Sequence, residues 1–278
     1  MLILRTVGDV RAWRRDVTVV GLVPTMGFLH DGHLSLVRAS KRDNAATIVS
    51  IFVNPTQFGP NEDFARYPRD EARDLALLRA EGVDAVFAPE SGEIYPEGFS
   101  TYVEVGGLTQ RLEGASRPTH FRGVTTIVAN LFNIVQPDRA YFGQKDAQQL
   151  AVIRRMVRDL NMPVDIVAMP IVREADGLAL SSRNAYLTDD QRTAASVLAL
   201  ALSLAERMYD EGERDAARIR DAMREAIGRQ QFAETDYISV ADAETLEELD
   251  LIDRTALVSL AVRFGATRLI DNTILRAG

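Results

Sequence analysis

Cysteine is absent from the 278 residues, and lysine occurs only as Lys41 and Lys145 among 32 Lys+Arg. Without cysteine there is no disulfide scaffold, no thiolate nucleophile, no zinc finger and no iron–sulfur cluster. Histidine is nearly as scarce, at His30, His33 and His120, which leaves little material for a histidine-rich metal cage. Chemistry that needs an imidazole or an ammonium therefore has few places to occur. Long apolar runs are also missing. The most apolar stretch, residues 194–205, is too short to span a bilayer and reads as a buried helix. There is no excess of positive charge: the net charge is −8, so nothing resembles a nucleic-acid footprint. An anionic substrate would need a local positive pocket on an acidic protein. Residues 1–16 carry charges too early and too often for a secretory signal, and a cytoplasmic protein is expected. Neither a Walker A sequence nor a GxGxxG is present, so any nucleotide site is of another kind.

What remains is ordinary for a folded protein, with 46% hydrophobic and 26% charged residues. Short apolar runs at 17–23, 47–53, 85–88, 140–142 and 164–169 read as strands, and 101–105 alternates as an edge strand. Helical spacing covers the segment from 32 or 33 onward, then 70–81, 124–135 and 146–160. Strand–helix alternation of this kind predicts a Rossmann-like α/β fold, a parallel sheet with helices on both faces. Beyond about Val172 the pattern changes to helices at 189–211 and 215–232 and apolar runs at 237–241, 256–262 and 267–270. These suggest a smaller C-terminal α+β domain of two helices and a small antiparallel sheet. The expected division is 1–175 for the nucleotide-binding domain and 176–278 for a lid-like one.

Four segments carry chemistry, each at or just after a strand end, where open α/β sheets bind ligands. In Pro24-Thr25-Met26-Gly27-Phe28-Leu29-His30-Asp31-Gly32-His33 two histidines share one face at a helix start. Unpaired N–H groups and a partial positive charge there suit a phosphate. Asn54-Pro55-Thr56-Gln57 offers amides for hydroxyls or a carboxylate, although Asn-Pro alone explains a turn. Gly143-Gln144-Lys145-Asp146 places a compact ammonium at a helix start; an exposed lysine beside a capping aspartate is the plainer account. Leu180-Ser181-Ser182-Arg183 offers several donors for polyphosphate oxygens, or is simply a loop before a helix.

His-x-Gly-His after a first strand resembles the adenylyl-transferring nucleotidyltransferases. The longer PTMGxLHxGH string is more specific and resembles the pantoate–β-alanine ligases (pantothenate synthetases). The resemblance continues through SIFVNPTQF (50–58), YPR (67–69), LEGASRPTHFRGV (112–124), FGQKDAQQL (142–150), DGLALSSRN (176–184) and LIDN (269–272), in order. It implies ATP binding by Pro24, Thr25, Met26, Gly27, His30, His33, Gly143, Lys145, Asp146, Leu180, Ser181, Ser182 and Arg183, with Val172 as a backbone contact to adenine. It implies pantoate or β-alanine contacts at Met26, Asn54, Gln57, Arg117 and Gln149, and a Mg²⁺ ligand at Asp74. His30, His33, Lys145 and Arg183 would be the catalytic groups, with His33 as proton donor. Arg117 and Arg122 flank His120 and are candidates to meet an anion. Thr56 departs from the family's usual methionine.

The implied reaction joins pantoate to β-alanine with ATP, through a pantoyl adenylate, releasing AMP and pyrophosphate. A homodimer formed through the N-terminal domain is expected by the same resemblance, with no nucleic-acid or membrane partner. Two other classes stay open at this point. One is a nucleotidyltransferase, such as a cytidylyltransferase, that stops at the nucleotidyl product; the other is a catalytically silent nucleotide-binding protein.

Overall fold

The computed structural model describes residues 1–60 and 62–276. The chain divides into two compact units. The first comprises residues 1–143 and 152–170, the second 144–151 and 171–278. The division therefore lies at Pro170/Ile171, a few residues before the boundary read from the sequence, and residues 144–151 go with the second unit.

The first unit contains β1 (Leu2–Leu4), α1 (Val7–Arg14), β2 (Val20–Thr25), α2 (Asp31–Asp43), β3 (Ala46–Ile51), α3 (Glu71–Ala80) and β4 (Ala85–Phe87). The short helices α4 (Ser91–Ile94) and α5 (Leu112–Ser116) follow, then α6 (His120–Val135) and β5 (Arg139–Gly143). After α7 (Ala147–Asp159) comes β6 (Asp165–Met169). All six strands are parallel, in the order β1-β4-β3-β2-β5-β6. Their side chains alternate between faces. Val23, Val49, Val86 and Tyr141 meet Leu34 and Val37 of α2 and Leu75 and Leu78 of α3. Leu22, Ile48, Phe87 and Ala140 point the other way and are equally buried. Burial on both faces is why these strands read as continuous apolar runs. The chain adds β3 and β4 on one side of β2, then returns to add β5 and β6 on the other. The switch point thus lies between β2 and β5.

Two contacts draw α2 onto this sheet. A Cβ on Gly21 would lie 2.1 Å from Ser40 Oγ and 2.4 Å from Asn44 Nδ2, so only glycine permits the approach. Lys41 donates to Asp84 Oδ2 at 3.1 Å, and the same oxygen accepts from the Thr47 amide at 2.8 Å.

Residues 101–105, expected as an edge strand, pair with no strand. Thr126 Oγ1 accepts from the Val103 amide at 3.0 Å, and Thr125 Oγ1 donates to the Val103 carbonyl at 2.6 Å. Two helix hydroxyls thus replace the missing ladder.

The second unit holds α8 (Asp189–Ala195), α9 (Val197–Asp210), α10 (Ala216–Gly228) and an antiparallel sheet β7 (Ala233–Asp242), β8 (Ala256–Phe264), β9 (Thr267–Leu275) in that order. The helix expected over 189–211 is broken at Ser196. Its hydroxyl donates to the Thr193 carbonyl at 2.8 Å, competing with the helical ladder. The core forms from Leu198, Ala201 and Leu202 of α9, Ile219 and Met223 of α10, and alternate residues Val258, Leu260 and Val262 of β8. No helix among the described residues is long and apolar enough to cross a membrane.

Candidate active site

The loop after β2 is set by backbone conformation and by one buried carboxylate. Gly27 and Phe28 both have positive φ, 80° and 50°. A Cβ on Gly27 would sit 3.0 Å from Asp74 Oδ2 and 3.1 Å from Ile51 Cγ2, so glycine is needed there twice over. The left-handed Phe28 is unusual and is compensated. Its amide donates to Asp74 Oδ2 and the Leu29 amide donates to Asp74 Oδ1, each at 2.7 Å. Arg73 donates to the Leu29 carbonyl at 3.0 Å. Burial pushes the Asp74 carboxyl up, against the opposing pull of those two amides.

Asp74 thus holds this loop, a task separate from the Mg²⁺ role expected of it. It is 1% exposed, and both of its oxygens already hold the loop that leads to His30. Among the described residues no three His, Asp or Glu side chains are grouped to hold a metal ion.

The loop delivers His30 as the N-cap of α2. His30 Nδ1 accepts from the Gly32 amide at 3.2 Å, and His33 Nδ1 accepts from the His30 amide over a longer 3.4 Å, a reciprocal capping box. An imidazole that accepts at Nδ1 carries its hydrogen on Nε2. The two rings stand 4.1 Å apart between centroids.

At the end of β3, Pro55–Gln57 forms a 3-10 turn capped by Asn54. Asn54 is 1% exposed. Its Oδ1 accepts from the Thr56 amide at 3.3 Å, Thr56 Oγ1 at 2.9 Å and Tyr95 Oη at 2.8 Å. Its Nδ2 donates to Gln57 Oε1 and the Gly123 carbonyl, both at 3.1 Å. Both amide hydrogens are thus taken within the protein. Gln57 Nε2 lies 3.1 Å from Met26 Sδ, which brings two residues of the expected pantoate set together.

Arg117 is engaged within the protein. It forms an ion pair with Glu62, donating from Nε at 2.6 Å, and donates from Nη2 to the Gln57 carbonyl at 3.2 Å. Burial tends to raise the Glu62 carboxyl, but Arg117 outweighs it and holds the group below its usual value. His120 Nδ1 donates to the same Gln57 carbonyl at 2.8 Å, and Arg117 Nη1 donates to His120 Nε2 at 3.2 Å. Burial, then the Arg117 charge, lower the His120 imidazole to about 4. Arg122 lies over the Tyr102 ring at 5.0 Å. Glu62 and Tyr95 escape a reading of the sequence, because nothing in their local sequence marks them. A cavity of about 360 Å³ opens beside Gly27, where Asp70, Glu71, Asp74 and Glu90 outnumber Arg69. That balance does not attract a triphosphate.

Within the second unit, Gln144–Asp146 is a 3-10 turn leading into α7. Asn272 Nδ2 donates to the Gln144 and Lys145 carbonyls at 3.0 and 2.8 Å, and Gln144 Nε2 donates to Asn272 Oδ1 at 3.2 Å. The LIDN segment thus fixes the peptide that carries Lys145. Lys145 Nζ stands 3.8 Å from Asp146 Oδ1, and Gln149 lies on the first turns of α7, half-buried. Residues 172–180 form a tight return in which the Leu180 amide donates to the Val172 carbonyl at 2.9 Å and Gly177 turns at φ 90°. Ser181 caps the 3-10 turn Ser182–Tyr186, accepting from the Arg183 amide at 3.2 Å. Arg192 pairs with Glu174 and Asp176, and Arg173 with Asp271, its Nη1 at 2.6 Å from Oδ2. The hydrogen bond from Arg192 holds the Asp176 carboxyl below its usual value.

A parallel sheet with a switch point, a paired-histidine helix start beside it and no P-loop defines an α/β enzyme of the His-x-Gly-His nucleotidyltransferase class. The Pantoate-beta-alanine ligase family profile matches residues 2–274. The pantothenate synthetase of Herpetosiphon aurantiacus is 60% identical over 276 residues, covering 99% of this chain and all of that one. That of Acetivibrio thermocellus is 57% identical over 279 residues, at 99% of each chain. The crystal structure of pantothenate synthetase from Thermus thermophilus superposes with a TM-score of 0.95 at 51% identity, covering 98% of this chain and 99% of that one. A pantoate-beta-alanine ligase from Francisella tularensis, complexed with beta-gamma ATP and beta-alanine, gives 0.79 at 33% identity over 99% and 97%. This chain belongs to the pantoate–β-alanine ligase family.

Proposed function

We propose that the protein condenses pantoate with β-alanine at the expense of ATP, forming pantothenate, AMP and pyrophosphate. A free carboxylate is a poor acyl donor, so the pantoate carboxylate first attacks the α-phosphorus of ATP. The bond to the β,γ-pyrophosphate breaks and pantoyl adenylate forms. The neutral amine of β-alanine then attacks the acyl carbon, the C–O bond to AMP breaks, and the amine's surplus proton leaves. Positioning and charge neutralisation dominate the first step. His30 and His33, held with their hydrogens on Nε2, donate to oxygens of the reacting phosphate, and Lys145, Ser181, Ser182 and Arg183 take the remaining phosphate oxygens. Gln57 and Gln149 hold pantoate, and Met26 lines its place. Mg²⁺ enters as part of the MgATP substrate, bound chiefly by phosphate and water. The homodimer and the cytoplasmic setting implied by the family belong to this reading.

The observation that carries it is the pairing of His30 and His33 at the start of α2 together with full-length family membership. AMP release measured with ATP, Mg²⁺ and pantoate, with and without β-alanine, tests it. Turnover dependent on both organic substrates is expected. AMP release that ignores pantoate would refute it.

A further inference from the structure

Gln57 would contact pantoate through one face of one amide, so which atom it presents decides what it recognises. An amide can be flipped, exchanging donor for acceptor, with little change in shape. Here the flip is set from outside the site. The Thr56 main-chain N–H can only donate, so the Asn54 atom 3.3 Å from it must be the oxygen. Tyr95 Oη and Thr56 Oγ1 converge on that same oxygen at 2.8 and 2.9 Å. Asn54 Nδ2 is then turned toward the Gly123 carbonyl, which can only accept, and toward Gln57 Oε1. Gln57 has its own acceptor masked and presents Nε2, a donor, beside Met26. The main chain of Gln57 is held independently by His120 and Arg117 on its carbonyl. Gly123 allows the close approach of α6. A Cβ there would lie 2.4 Å from the Thr56 carbonyl oxygen and 2.6 Å from the Gln57 amide nitrogen.

We propose that Tyr95 and Thr56 are positioning residues that act through Asn54 to fix Gln57 as a hydrogen-bond donor, so that this part of the site selects substrate oxygens able to accept. The Thr56 hydroxyl supplies one of the two side-chain locks. The inference rests on the pantoate reading above.

Tyr95→Phe removes one lock and keeps the ring. The expected result is a pantoate KM raised about five- to tenfold, the scale of one buried hydrogen bond, with the ATP KM and the melting temperature little changed. Thr56→Val should behave alike, and Thr56→Ser should restore the wild-type KM. In a Gln57→Ala background, Tyr95→Phe should add less than about twofold, because the residue it acts through is gone. An unchanged pantoate KM in Tyr95→Phe, an equal rise in the ATP KM, or the same increment in the Gln57→Ala background would overturn the proposal. Should Tyr95→Phe fail to fold, the Thr56→Val and Thr56→Ser pair decides by the same criteria. Wild-type turnover that does not depend on pantoate would instead sink the functional reading itself.

Discussion

The two units hold their candidate ligands in different ways. Around Gln57 in the first unit the restraints are mostly short-range hydrogen bonds among buried groups, with Asn54 1% and Gln57 9% exposed. Around Ser181–Arg183 in the second, a tight return is braced by ion pairs, the half-exposed Arg192 with Glu174 and Asp176 and Arg173 with the buried Asp271, while the Lys145 turn is held by Asn272. Buried neutral networks are over-determined and fix one geometry. Half-exposed ion pairs are weaker, tolerate displacement and respond to salt. The difference suits the ligand proposed for each. A small hydroxy acid is recognised by a particular donor in a particular place, whereas a polyphosphate is held by charge, with many equivalent oxygens.

The comparison is broken most severely by removing a phosphate group's partner. Lys145→Ala should lower pyrophosphate release by about 10²–10³-fold, the scale of one lost transition-state donor, with an unchanged circular dichroism spectrum. A near wild-type rate would remove Lys145 from the chemistry. His33→Ala should lower adenylation about 100-fold and spare the use of supplied pantoyl adenylate. Equal loss in both half-reactions would place its role elsewhere.

The buried network should fail through geometry rather than charge. Gly123→Ala forces its Cβ against the Thr56 carbonyl at 2.4 Å. It should cost about 1–3 kcal/mol of stability and raise the pantoate KM more than the ATP KM; a normal melting temperature would show that α6 can retreat freely.

His120 sharpens the contrast through pH. Its imidazole is lowered to about 4 in the native protein, against about 6.5 unfolded. Between those values the unfolded chain binds a proton that the native one refuses. The contribution is complete above pH 6.5 and is lost as pH falls toward 4. Between pH 7 and 5 it amounts to about 2 kcal/mol, and His120→Gln should lose correspondingly less in urea titrations over that range. Parallel decline of both proteins would contradict the assignment. The smallest effect is expected from Arg192→Gln, about 1 kcal/mol or less, with an ATP KM that rises modestly and converges on the wild type at high salt.

Much of the fold is legible in the sequence because its signals are local. The β-branched run at 47–53 supplies most of β3. Two further elements go unread although signals exist: the three-residue β1 is brief, but Thr6 and Asp9 form a capping box at the start of α1. Residues 101–105 mislead because alternation cannot tell a strand from an extended segment whose partners are helix threonines. The site is legible in its outer membership and less so in its inner logic. Asn54, Asp74 and Arg117 are marked as candidate ligands by the family resemblance, and the bonds by which each also holds another residue are not written in any motif. Tyr95 lies 41 residues from Asn54, and no spacing rule connects them. The scarcity of lysine has a further meaning. Lys145 stands in the segment proposed to hold phosphate, while Lys41, which carries no motif, ties α2 to Asp84.

Pantoate-dependent exchange of labelled pyrophosphate into ATP tests the central claim most directly, because it isolates the adenylation step. Exchange that requires pantoate and proceeds without β-alanine is the result predicted. Exchange that requires β-alanine, or none at all from a protein that still makes pantothenate, would contradict the adenylate route.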